Sequence, residues 1–126
     1  MAPWRISAIV WAAASPAGSG GSGGPVDRRC HAAPRRWLDV GGGHGHFSLV
    51  ARGVWPKARF DAVDLAESID LAARRGWIDQ AHRGQFPELA PRMAGEYDVV
   101  SMHHYLEHTR DPGAELDAAA VALAPA

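Results

Sequence analysis

From Arg36 onward the chain alternates short apolar runs with segments whose apolar residues recur at helical spacing. That alternation predicts an α/β fold with a mainly parallel sheet. Trp37–Val40 is the first strand, and the helix after it covers about Phe47–Arg52, with Gly53 placed to stop it. Ala58–Asp64 is strand two. Ala66–Arg75 carries Ile69, Leu71, Ala72 and Ala73 at helical spacing and closes on Gly76, a residue suited to a left-handed C-terminal cap. A weak third strand falls within His82–Phe86, after which Pro87 and Pro91 are expected to interrupt regular structure. Glu96–Met102 is strand four, its continuous apolar centre suiting a strand covered on both faces. Asp111 is the N-cap and Pro112 the first residue of a last, alanine-rich helix that ends near Leu123.

Between strand one and its helix the sequence reads Gly41-Gly42-Gly43-His44-Gly45-His46. Glycines at 41, 43 and 45 let the backbone bend sharply and bring amides against a ligand where a Cβ would collide. This is the pattern of a nucleotide-binding turn. A dinucleotide fingerprint wants a small residue at position 46, where helix and strand pack closely, and His46 stands there. Pyrophosphate binding is therefore disfavoured. Asp64 ends strand two roughly 20 residues past the turn, where an acidic side chain can accept from both ribose hydroxyls. As a strand-ending acid it could equally cap the following helix.

Composition narrows the setting. With 13 basic and 14 acidic residues among 126, the net charge of -1 leaves no basic footprint for nucleic acid. The single Cys30 cannot form an internal disulfide, which fits a cytoplasmic protein. Ser15–Pro25 (SPAGSGGSGGP) has almost nothing to bury, so residues 1–33 are expected to be a flexible N-terminal extension and linker, with the folded domain at 34–126. The apolar run near the N-terminus superficially resembles a signal peptide but is too short to span a bilayer, so no membrane partner is expected.

Three patterns together resemble the class I S-adenosylmethionine-dependent methyltransferases. They are Leu38-Asp39-Val40-Gly41 running through Gly43 and Gly45, Asp64 at the end of strand two, and Tyr97–Pro125 with its Leu106-Glu107-His108 and Asp111-Pro112 helix entry. The resemblance implies a Rossmann-like parallel sheet of order 3-2-1-4, here incomplete, with strands five to seven missing. It implies S-adenosyl-L-methionine as cofactor, held by Asp39, Gly41, Gly43, Gly45, Asp64, Leu65, Gln85 and Ser101. Gln85 stands where the family often has an acidic residue for the adenine amino group; its amide oxygen can accept instead. The expected activity is methyl transfer to a small-molecule acceptor, with His104 as candidate base, and weak turnover by this chain alone. Strand four, without a fifth, would be an open edge and a route to self-association.

Other readings share some of these residues. A nicotinamide-dependent oxidoreductase fragment would share the turn and the acid, and a non-catalytic nucleotide-binding fragment would share everything. His104 to His108 also matches His-x-x-Glu-His, a zinc-protease motif that on a helix would set both histidines on one face. Against zinc, the motif follows directly on a buried strand, Pro112 cuts any helix short, and a third ligand is hard to find downstream. No metal is expected.

Overall fold

The computed structural model describes residues 33–124. The flexible extension expected for residues 1–33 lies, apart from Ala33, outside them. Strands β1 (Arg36–Val40), β2 (Arg59–Asp64), β3 (Gln80–Arg83) and β4 (Val99–Met102) form one parallel sheet of order β3-β2-β1-β4. Helices α1 (His46–Val54), α2 (Ser68–Arg74), α3 (Phe86–Leu89) and α4 (Pro112–Ala122) make the connections, with 3-10 turns at Ala90–Met93 and Leu106–His108. This is the incomplete Rossmann-like sheet that the family resemblance implies.

Register explains how the two faces separate. Leu38, Val40, Val63, Val100 and Met102 point to one face, where α3, the Ala90–Met93 turn and α4 cover them through Phe86, Met93, Ala118 and Ala122. Trp37, Phe60 and Val99 point to the other, against Phe47, Ala51 and Trp55 of the α1 region. Ala62 meets Ile69, Ala72 and Ile78 of the α2 region on that same face. Successive residues of the central strands are thus buried on opposite faces, as a three-layer α/β/α arrangement requires.

Several boundaries differ from expectation. The third strand begins at Gln80 and ends before Gly84, whose φ of +146° turns the chain out of the sheet. Phe86 therefore opens α3 instead of closing a strand, and its side chain is fully buried. Pro87 and Pro91 do not break structure. Each sits in the first turn of a short helix, where no intrahelical N–H is needed. Gly53 does not stop α1, because Trp55 lies against Trp37 at 5.1 Å between ring centroids and its N–H bonds Ala51 O at 2.9 Å, carrying the last turn onward. Asp111 does cap α4, its carboxylate accepting from the Ala114 N–H at 3.1 Å.

The far edge of β4 is partly covered. Leaving α4, the chain pairs in parallel with the residues before β4: Tyr97 N–H donates to Ala122 O at 3.0 Å and Ala124 N–H to Tyr97 O at 2.7 Å. The expected open edge is thus confined, among the described residues, to β4 itself. Among them no helix is long and apolar enough to cross a membrane.

Candidate functional site

Gly41, Gly43 and Gly45 all lie in the left-handed region, with φ of +76°, +55° and +77°. A side chain at any of them would be strained. The turn is fixed to the end of β2, where Val63 O accepts from Gly41 N–H at 2.7 Å and Gly42 N–H at 3.2 Å. Nothing lies within 4 Å of where a Cβ on Gly43 would stand, so the tip of the turn faces open space. Gly45 is different. A Cβ there would come 2.8 Å from the Ala72 Cβ, so Gly45 serves the close packing of α1 against α2.

Asp64 ties this turn to the segment leading into α2. One carboxylate oxygen accepts from Gly43 N–H at 2.8 Å and the other from Ala66 N–H at 2.8 Å. Asp64 does not cap the following helix, whose N-cap is Glu67; it anchors the loop, and each of its oxygens can take one more donor.

Asp39 and Ser101 sit behind the turn, on the α1 face of the sheet. Trp37 Nε1–H donates to Ser101 Oγ at 2.8 Å, and the Ser101 hydroxyl donates to Asp39 Oδ1 at 2.9 Å. Asp39 is only 2% exposed. Burial pushes its carboxyl up to about 7; the Ser101 bond opposes the shift and the nearby Asp64 charge adds to it. Asp39 and Ser101 thus support the turn from below and do not line the open cleft.

That cleft, about 830 Å³, opens over the carboxyl ends of the strands. Gly41, Asp64, Leu65, Gln85, His104, Tyr105 and Glu115 are among the residues that line it. The predicted residues Gly41, Asp64, Leu65, Gln85 and His104 are therefore brought together, while Asp39, Gly45 and Ser101 are held beneath or behind. Open α/β sheets take their ligands at this end.

His104 has φ of +51° and an exposed side chain, with Nδ1 3.5 Å from Glu107 Oε1. The helix that a His-x-x-Glu-His zinc site would ride is absent: Leu106–His108 is a single 3-10 turn. No group of three His, Cys, Asp or Glu side chains suited to a metal ion occurs among the described residues. His103 turns away and packs its ring on Phe47 at 4.1 Å between centroids. Its burial, and the neighbouring His104, lower its pKa.

Two residues of the cleft were not singled out from the sequence as site residues. Tyr105 lies across Gly41, and its hydroxyl donates to Glu115 Oε2 at 2.8 Å. Glu115 is the acid on the buried side of α4, and burial raises its carboxyl. The available signal is an acid in the first turn of a helix whose sequence is otherwise alanine-rich.

A glycine turn backed by a buried acid, an acid ending β2 and a cleft above both agree with the similarity to known proteins. A family model described as a methyltransferase domain matches residues 24–126. The chain belongs to the class I S-adenosylmethionine-dependent methyltransferases. The ubiquinone biosynthesis O-methyltransferase of Aromatoleum aromaticum is 32% identical over 107 residues, covering 79% of this chain and 44% of that protein. Proteins of the same description from Marinobacter nauticus and Bordetella avium are each 33% identical, over 109 and 96 residues, and the chain covers 44% and 39% of them. This methyltransferase chain thus spans less than half the length of the curated relatives it matches.

Proposed function

We propose that residues 34–126 form the cofactor-binding domain of a cytoplasmic enzyme that transfers the methyl group of S-adenosyl-L-methionine to an oxygen of a small-molecule acceptor. The observation carrying this reading is the joint placement of Gly41, Asp64, Leu65 and Gln85 at one cleft, with Asp64 bonded to the amide of Gly43 in the same turn. The fit to the cofactor is favourable. Nothing lies within 4 Å of where a Cβ on Gly43 would stand, and each Asp64 oxygen, accepting one hydrogen bond from the protein, can take a second from a ribose hydroxyl. Leu65, exposed at the cleft, offers an apolar surface for a nucleobase, and Gln85 an amide for its polar edge. When bound, the cofactor supplies a methyl group already activated by positive charge on sulfur.

The chain's residues then have separable tasks. Gly43 leaves the tip of the turn open to the ligand, Asp64 orients the sugar, and the Trp37–Ser101–Asp39 series keeps the turn in place from behind. His104 stands exposed on the acceptor side, where an imidazole can take a proton from an acceptor hydroxyl. Transfer to oxygen is argued from the name of the relatives, and the whole protein's turnover is part of the proposal.

The test offers methyl-labelled S-adenosylmethionine with pooled hydroxyl, amine and carbon-acid acceptors and identifies products by mass spectrometry. Labelled ethers or esters support the reading. Label confined to amine or carbon products would overturn the oxygen assignment.

A further inference from the structure

Asp39 is the one acid of β1, flanked in the sheet by Ala62 of β2 and Ser101 of β4. Its Oδ1 accepts from the Ser101 hydroxyl at 2.9 Å, while Oδ2 lies under the turn, 3.4 Å from where a Cβ on Gly42 would stand. One neutral hydroxyl is a poor match for a carboxylate this deeply buried, which ordinarily needs several donors or a cation. Among the described residues no cation meets it. From α1 come Phe47 and Ala51, and from α2 come Ile69 and Ala72, all of them apolar. Ser48, buried in the first turn of α1, makes no hydrogen bond, and His103 beyond Ser101 packs on Phe47. The charge that does act on Asp39 is the like charge of Asp64. Burial and that neighbour both favour the protonated acid.

We propose that Asp39 is the residue by which the cleft tells the methyl donor from its product. Uncharged in the free chain, it releases its proton to solvent when positively charged sulfur is bound above the turn, and it takes a proton back once transfer leaves that sulfur neutral. The inference rests on the donor-binding reading above and adds to it a means of discrimination. Donor and product share their sugar, base and amino-acid end and differ by one methyl and one unit of charge. Contacts to the shared parts hold both equally, so a group that answers to charge separates them. The turn is suited to pass that charge on: it contributes Gly41 to the cleft and carries no side chain at positions 41–43, leaving backbone between the carboxyl and a ligand lying on it. Away from bulk water a unit charge at such range shifts a protonation balance by about tenfold. Asp39 touches no ligand in this account; it is a positioning residue whose protonation state reports what the turn holds.

The test follows the Asp39 carboxyl carbon by NMR in the full chain labelled with carbon-13 aspartate, from about pH 5 to about pH 9. The resonance missing from Asp39→Asn identifies it. In the free chain and in the S-adenosylhomocysteine complex its titration midpoint should lie near neutrality, and saturating S-adenosylmethionine should lower that midpoint by about one pH unit. Calorimetry reads the same linkage from the ligands' side. Affinity for S-adenosylmethionine relative to S-adenosylhomocysteine should rise with pH about tenfold more in wild type than in Asp39→Asn. His104 and His108, which line the cleft, and the ligands' own amine titrate in both proteins and cancel in that comparison. Equal midpoints in the two complexes, a free-chain midpoint at that of an ordinary carboxylate, or a pH-dependent preference that Asp39→Asn leaves intact would each overturn the proposal while the donor reading stands. Failure of both ligands to bind would remove the donor reading and this inference with it.

Discussion

Replacing Asp39 by Asn should change how the stability of this chain depends on pH. The carboxyl is 2% exposed, accepts one hydrogen bond, from Ser101, and faces a like charge in Asp64. Its pKa therefore rises from an ordinary 3.8 to about 7 on folding. Between those values the folded chain holds a proton that the unfolded chain has released, so stability falls as pH rises through the window. At about 1.4 kcal/mol per unit, the loss from this one group reaches about 4 kcal/mol at most by pH 7. Asn at position 39 has the same shape, keeps an oxygen for the Ser101 hydroxyl, and carries no charge. Urea unfolding followed at several pH values from about 4 to about 8 gives the two profiles. The variant should match the wild type near the acid end and exceed it by a few kcal/mol at the alkaline end. Other titrating groups cancel in the difference: His82 and His103, whose pKa values burial lowers, slope the other way in both proteins. Parallel profiles across the window would refute the argument, showing that Asp39 folds without its proton.

Ser101→Ala strands the Trp37 indole N–H and removes the one bond that holds the Asp39 carboxyl down, so unfolding free energy should drop by about 1–3 kcal/mol; an unchanged chemical-denaturation midpoint would count against that link. Gly45→Ala forces a left-handed alanine 2.8 Å from the Ala72 Cβ and should cost at least about 1 kcal/mol, a drop of several degrees in melting temperature. A melting temperature within error of wild type would show that the α1–α2 contact relaxes freely. Asp64→Ala removes a charged acceptor and should weaken S-adenosylhomocysteine by about 1.5–3 kcal/mol in calorimetry. Undiminished affinity in a folded variant would remove Asp64 from the site.

What the sequence shows of this fold is what depends on neighbouring residues. The apolar strand, the glycines and the acid ending β2 each announce themselves locally, because left-handed turns and buried strands restrict which residues fit. The resemblance those residues carry implies the sheet order that the structure shows, and Gly41, Asp64, Leu65, Gln85 and His104 meet at one cleft. The third strand was harder. Gln80–Arg83 lies at the sheet edge, half-exposed, and has no apolar run to mark it. Pro87 and Pro91 read as breakers in sequence but fall in first turns, where a missing N–H leaves no helical bond unmade. Contacts between distant positions were invisible: Trp37 and Ser101 are 64 residues apart, and Tyr105 meets Glu115 only because the chain doubles back through His104. Such pairs are made by the fold and leave no periodicity behind.

The central claim is that this chain holds the methyl donor in the cleft above the glycine turn. Isothermal titration of the purified chain with S-adenosylhomocysteine, alongside NADH and zinc, tests it most directly. The account predicts saturable binding of S-adenosylhomocysteine at one site per chain, and no comparable binding of NADH or zinc. A cooperatively folded chain that binds no S-adenosylhomocysteine, or that takes NADH in its place, would contradict it.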